Sequence, residues 1–250
     1  MRAAKSRQSR WRAGLDMPGG QPIHRIGALA RWGVGMDGFH DPRGYARAAR
    51  IAVTIWLAGS LGYGGAALYS IVAINAHLAG ETPEWGALET VDQVSQITGI
   101  LYMVLTLACV VLVGMWIYRT NKNAWQVSDG MTVKPGWAVG SFFIPFLNLI
   151  RPFTGMRETW QASHFPGDPG AEPVPVLMRI WWGAWLVNGV LGQVSFRLSM
   201  RAQTLEDFLL VGQIDAVGMI VDIVAGTSLL WIMRRITAAQ SHFRDYEVFE

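Results

Sequence analysis

The chain is 250 residues long, carries a formal net charge of +3 and is 51% hydrophobic, with only 16% charged residues and twelve tryptophans. An average soluble protein is roughly 25% charged, so this chain lacks the charge to cover a water-exposed globule, and disorder needs the opposite balance. One cysteine, Cys109, excludes an internal disulfide framework and a cysteine-based zinc cluster.

In chain order, the first fifty residues hold ten of the twenty-one lysines and arginines. They contain no continuous apolar stretch of the signal-peptide kind. Residues 1–49 therefore read as a basic, mobile cytoplasmic arm beside anionic lipid headgroups, where each basic residue contributes on the order of 1 kcal/mol. Ile23, Ile26, Leu29 and Trp32 align loosely on one helix face within it. The runs 51–78 and 93–118 contain no Asp, Glu, Lys or Arg. At about 1.5 Å per residue each exceeds the roughly 30 Å hydrocarbon core of a bilayer. Ala58, Gly62 and Ala66 recur at four-residue spacing in the first run. That is a small-residue face suited to close packing within the bundle or against a second copy.

The run 136–150 is too short to cross, reaching only about 22 Å as a helix, and Pro145 interrupts it. It reads as a re-entrant, broken segment on the cytoplasmic side, with Pro145, Asn148, Arg151 and Pro152 forming its elbow. Transporters build sites from such breaks, but no second broken run supplies the inverted-repeat signature. In 151–163, Phe153, Met156 and Trp160 fall at helical spacing, with Arg157 and Glu158 elsewhere around the axis. That predicts a short amphipathic helix at the membrane surface. Four prolines between residues 164 and 176 mark a loop. A third span, 177–199, is bracketed by Arg179 and Arg197, which snorkel to the two interfaces. A fourth, 208–233, is apolar except for Asp215 and Asp222, and 241–250 is a cytoplasmic tail.

The expected fold class is thus an all-α integral membrane protein, with four transmembrane helices, a re-entrant segment and a surface helix in a single domain over residues 50–240. Charge orients it. Residues 78–92 carry Glu81, Glu84, Glu89 and Asp92 and no lysine or arginine, whereas Arg119, Lys122, Lys134, Arg151, Arg157, Arg179, Arg234 and Arg235 flank the other helix ends. The positive-inside rule puts both termini in the cytoplasm. Trp116, Trp137, Trp181, Trp182 and Trp231 fall near the inner helix ends, where an interfacial aromatic belt belongs.

The central blocks are recognisable: Trp116-Ile-Tyr-Arg-Thr-Asn-Lys-Asn123, Pro135-Gly-Trp-Ala-Val-Gly-Ser-Phe-Phe-Ile-Pro-Phe-Leu-Asn-Leu-Ile-Arg-Pro152, Met156-Arg-Glu-Thr-Trp160 with Ser163, and Trp181-Trp-Gly-Ala-Trp185. Over roughly residues 44–240 the chain resembles a bacterial membrane family, domain-of-unknown-function family 4328. The resemblance implies a multi-pass protein of the bacterial inner membrane. It brings no activity, cofactor or site with it.

Asp215 and Asp222 lie two helical turns apart and share a face with Gly218 and Ala225. A charge in the hydrocarbon costs at least about 2.5–3.5 kcal/mol, so such residues face the bundle interior. Depth arithmetic puts Asp222 about 18 Å inward from Arg234, level with Asn188 and Gln193 counted from Arg179. Asp222, Asn188 and Gln193 form the candidate intramembrane polar site, and Asp215 with Arg197 a candidate ion pair at the outer interface. The sequence lacks His-Glu-x-x-His, Gly-x-Ser-x-Gly and phosphate-loop patterns, so no catalytic residue, metal or cofactor is expected. No nucleic-acid motif accompanies the basic arm. The leading functional expectation is a non-enzymatic module that binds or regulates other membrane proteins, or pairs with itself. The alternative is a small transporter or channel built on Asp222 and the broken segment.

Overall fold

A computed structural model describes residues 39–81, 87–165 and 173–247. The basic arm up to residue 38 and the last three tail residues lie outside the described residues. Every regular element in the described part is helical. They are α1 (Arg43–Leu78), α2 (Ala87–Val127), the short α3 (Pro135–Gly140), two 3-10 turns (Ser141–Phe143 and Leu147–Leu149), α4 (Arg151–His164), α5 (Val176–Ser199) and α6 (Leu205–Glu247).

Among the described residues three helices are long and apolar enough to cross a membrane: α1, Glu89–Val127 within α2, and Leu205–His242 within α6. The 24-residue α5 falls below that hydropathy because Trp181, Trp182, Trp185, Asn188 and Gln193 dilute its aliphatic residues. The ends are set by local chemistry. At the end of α1, Gly80 has φ +77 and the Glu81 and Gly80 amides donate to the Ala76 and His77 carbonyls, a Schellman closure that the missing Cβ permits. At the start of α6, Asp207 accepts from the Gln203 and Thr204 amides while its own amide donates to Thr204 Oγ1, a reciprocal cap.

α1 packs against α2 on one side and α6 on the other, and α5 packs on the far side of α6. The four long helices thus form an arc α2–α1–α6–α5. α1 joins its neighbours closely because an added Cβ at Gly64 would stand 2.4 Å from Met219 Sδ, and one at Gly59 would stand 2.5 Å from Leu105 Cδ1. Ala66 is buried, while Ala58 and Gly62 face outward, with nothing within 4 Å of a Cβ built at Gly62. The small-residue face is therefore split between the two sides of the helix.

The buried core does not sit in the middle of the bundle. It collects at the basic end, where α1 starts, α2 and α6 finish and α4 docks, around Trp116, Met156, Met178, Trp181, Ile232 and Ile236. Mid-bundle residues such as Ile97, Leu107 and Val111 are largely exposed on α2, as suits a surface solvated by acyl chains. α2 is 41 residues long and α6 is 43, about twice what the hydrocarbon needs. Both run on past the expected limits at residues 118 and 233 into a packed, polar-centred cap.

That cap alters two expectations. Trp116, Trp181 and Trp182 are buried in it rather than standing in an interfacial belt, because the helices that carry them continue past the interface and cover them. α4 occupies the stretch expected to lie at the membrane surface, and it is sunk between α2 and α6, burying Met156, Thr159, Trp160 and Ser163. Glu158 is buried with them. Its carboxylate accepts from the Thr132 and Val133 amides, at 2.9 Å each, and from the Thr132 hydroxyl.

The 136–150 segment is not one continuous helix. α3 passes into two 3-10 turns around Pro145, and Phe146 adopts φ 65 at the reversal. Its two ends return together, since a Cβ at Gly155 would lie 3.5 Å from Ala138 Cβ. Arg151 stands over the Trp137 ring at 6.0 Å, and the Asn148 amide donates to Ile144 O. Pro152 occupies the first turn of α4, where its missing N–H costs nothing.

Candidate functional site

The densest polar contact inside the spans centres on Asp222, which is 3% exposed. Three donors from three other helices converge on it. Ser60 Oγ of α1 donates to Oδ2 at 2.6 Å, Tyr102 Oη of α2 donates to Oδ2 at 2.7 Å, and Asn188 Nδ2 of α5 donates to Oδ1 at 2.6 Å. All four long helices therefore meet at one carboxyl group. Asp215, two turns toward the acidic end, accepts from Tyr63 Oη at 2.6 Å and Ser195 Oγ at 2.5 Å. Tyr63 and Tyr102 stack with centroids 5.2 Å apart and tie the two carboxyl sites together.

Sequence reasoning placed some of these residues and misplaced others. Asp222 and Asn188 are brought together. Gln193 is exposed: five residues beyond Asn188 it lies about 140° around the helix, on another face. Asp215 is bonded to Ser195 and Tyr63 instead of Arg197, which is exposed. Arg197 follows Ser195 by two residues, about 200° of rotation, so it points away once Ser195 faces Asp215. The signal for Ser195 was present. Asn188 and Ser195 are seven apart, as are Asp215 and Asp222, and antiparallel helices pair such positions crosswise. Ser60, Tyr63 and Tyr102 carried no comparable sequence signal, because their role depends on which faces α1 and α2 turn inward.

Among the described residues no positively charged partner accompanies either aspartate. Arg43 pairs with Asp41 at 2.8 Å, far from both. The described residues contain no group of three His, Cys, Asp or Glu side chains placed to hold a metal.

Recesses run along the carboxyl groups. One of about 330 Å³ opens near Asp92 at the acidic end, passes Ser70 and Ser95 and reaches Asp215. A second, of about 270 Å³, lies between the two aspartates and includes Tyr63, Tyr102, Asn188 and Ser195. A third, also about 270 Å³, begins at Tyr102 and Asn188 and continues toward the basic end between α2 and α5, lined by Trp56, Cys109, Phe142 and Trp185. The first two are bordered by hydroxyls and carboxyls. The third is apolar and aromatic.

The cap contains the second polar cluster. Gln240, fully buried, donates from Nε2 to Thr120 O at 2.9 Å and Ser163 Oγ at 3.0 Å, and accepts from Asn123 Nδ2 at 3.1 Å. Asn123 also donates to His40 O, Asn121 donates to Thr159 Oγ1, and Trp116 Nε1 donates to Thr237 Oγ1. Apart from Asn121 Oδ1, which is buried without a hydrogen-bond partner, these side chains meet neutral partners inside the protein, the pattern of a structural core. The recognisable sequence blocks map onto this cap: Trp116, Thr120, Asn121 and Asn123 on α2, and Glu158, Thr159 and Ser163 on α4.

No curated protein and no solved structure matches the chain. A family model does, over residues 80–238, from just after α1 to near the end of α6. The protein is a multi-pass α-helical membrane protein, and it belongs to the family described as domain of unknown function (DUF4328).

Proposed function

We propose that this protein is a non-enzymatic membrane module of four spanning helices that binds a proton or a small monovalent cation at Asp222, as a small transporter does. α5 is the fourth span, the 136–150 segment re-enters from the cytoplasmic side, and the basic cap faces the cytoplasm, with both termini on that side by the positive-inside rule.

One observation carries the reading. Asp222 is buried and, among the described residues, hydrogen-bonded only to neutral donors, with no cation beside it. An ionised carboxylate in that setting has no counter-charge to offset its desolvation. A proton or a bound cation supplies the missing charge. The Ser60 and Tyr102 hydroxyls can donate to the carboxylate or accept from the acid, so the site holds together in either state. Two recesses with hydroxyl and carboxyl groups among apolar residues lie between Asp92 and Asp222. That supports a site loaded from the acidic end.

The test is ion flux into liposomes, with a pH-sensitive dye inside for protons and tracers for sodium and potassium. Asp222→Asn keeps the shape and removes the charge. Flux in the intact chain that is lost in Asp222→Asn, at unchanged thermal stability, is the expected result. Equal flux in both, or none for any of the three ions, overturns it.

A second reading, an interaction module, is favoured by the outward-facing Ala58 and Gly62 on α1. A face of small residues at this spacing suits a second transmembrane helix. Affinity purification from native membranes tests it, a stoichiometric partner lost on Gly62→Val being the supporting result.

A further inference from the structure

At the basic end, α1 and α6 leave a groove of about 300 Å³ between them, lined by Arg47, Arg50, Ile51, Ile55, Leu230 and Arg234, together with Thr54. Three guanidinium groups from two helices surround it and, among the described residues, no carboxylate does. None of the three makes an ion pair among the described residues. Arg50 is steadied by donating from Nε to Ala46 O at 3.2 Å, which leaves its terminal nitrogens free of that bond. Thr54 turns its hydroxyl back onto Arg50 O at 2.9 Å, so the groove beyond the guanidinia is apolar.

The charges and the apolar residues are separated along the membrane normal. Arg47 and Arg50 precede the first apolar residue of the span. Ile55 lies about 7.5 Å deeper than Arg50, and Leu230 about 6 Å deeper than Arg234. Ile51 and Ile55 are 54% and 49% exposed, beside the charged side chains at the start of the apolar run. A soluble phosphate matches only the upper half of this arrangement. A phospholipid matches both, with its phosphate held by fork-shaped donors and one acyl chain laid against Ile51, Ile55 and Leu230.

We propose that this groove is a binding site for an anionic glycerophospholipid of the inner leaflet, with its phosphate among Arg47, Arg50 and Arg234. It is a fixed site between two packed helices, distinct from the diffuse attraction of a basic arm to a charged surface.

The test uses the full chain, delipidated in a neutral detergent, with native mass spectrometry and thermal unfolding as readouts. The probes are dioleoyl phosphatidylglycerol, dioleoyl phosphatidylcholine and glycerol phosphate. Phosphatidylglycerol is expected to be retained at least about tenfold more tightly than phosphatidylcholine, and each guanidinium removed is expected to weaken it about fivefold. Arg47→Gln with Arg234→Gln changes two exposed side chains and spares the core. It should weaken retention on the order of twenty-five-fold, while Arg197→Gln with Arg201→Gln at the opposite end changes nothing. Equal retention of the two lipids overturns the proposal, as does undiminished retention in the Arg47/Arg234 variant. Protection by glycerol phosphate equal to that by the lipid reassigns the groove to a soluble phosphate. Should the double variant unfold, Ile55→Asn reads the acyl half alone, and unchanged lipid retention there also contradicts the proposal.

Discussion

Glu158 is the buried carboxylate that fastens the 128–134 turn to α4, and removing it should open the cap. Its two oxygens accept three hydrogen bonds, from the Thr132 and Val133 amides and the Thr132 hydroxyl. Glu158→Ala leaves two backbone N–H groups beside a cavity at a position only 6% exposed. Each buried donor left unsatisfied costs about 1–3 kcal/mol, so the substitution should cost about 3–5 kcal/mol once some water enters. Glu158→Gln behaves differently. Its amide oxygen takes the place of Oε2 before the two N–H groups, and its NH₂ meets the Thr132 hydroxyl, which rotates to accept. Only the charge assistance is lost, about 1–2 kcal/mol. At about 2–4 °C per kcal/mol for a chain of this size, Ala lowers the melting temperature in detergent by about 6–20 °C and Gln by about 2–8 °C. Hydrogen exchange locates the effect: the Thr132 and Val133 amides should exchange faster in Ala and near the original rate in Gln. An Ala variant melting within about 1 °C of the parent, with those amides still protected, would refute the assignment.

Gly64→Val should destabilise by at least about 1–3 kcal/mol, because the new Cβ meets Met219 Cβ and Cγ, at 2.6 and 2.7 Å, and not a flexible tip. Gly62→Val, with open space in front of it, should leave the melting temperature of the monomer unchanged. Gln240→Leu keeps the volume but removes one hydrogen bond each from Asn123, Ser163 and the Thr120 carbonyl, at a cost of about 2–4 kcal/mol read by thermal unfolding. His164 is held below the ordinary histidine range chiefly by burial, with Arg235 adding to the effect and a hydrogen bond from Nδ1 to Trp160 O opposing it. The folded state thus disfavours the imidazolium. Stability is fully present above the unfolded value of about 6.5 and is lost as pH falls toward the depressed folded value. His164→Asn should flatten that slope in a pH series of melting temperatures.

Much of this architecture was written in local pattern. Uninterrupted apolar runs mark α1, α2 and α6, and Pro145 with Arg151–Pro152 marks the break before α4. The seven-residue spacing of Asp215 and Asp222 announced a shared polar face. The pairing across helices was less legible. Depth alone put Gln193 and Arg197 level with the aspartates, yet rotation about α5 turns both outward and brings in Asn188 and Ser195. Ser60, Tyr63 and Tyr102 are unremarkable in sequence, because hydroxyl residues are frequent in spans and only the crossing of α1 with α2 and α6 aims them. The cap was hidden for a related reason. Hydropathy registers where a helix leaves the bilayer, whereas the Gln240–Asn123–Ser163 cluster lies beyond that point and is made by contacts 77 and 117 residues apart in sequence.

The central claim is that Asp222 takes up a proton or cation inside the bundle, and infrared difference spectroscopy of the reconstituted protein across a pH step reads it directly. The account predicts a carboxylic-acid C=O band that rises as the carboxylate band falls, is absent in Asp222→Asn, and is suppressed when the bound species is sodium or potassium instead of a proton. A spectrum in which Asp222→Asn removes no titrating band, at any pH and in any of these salts, would contradict it.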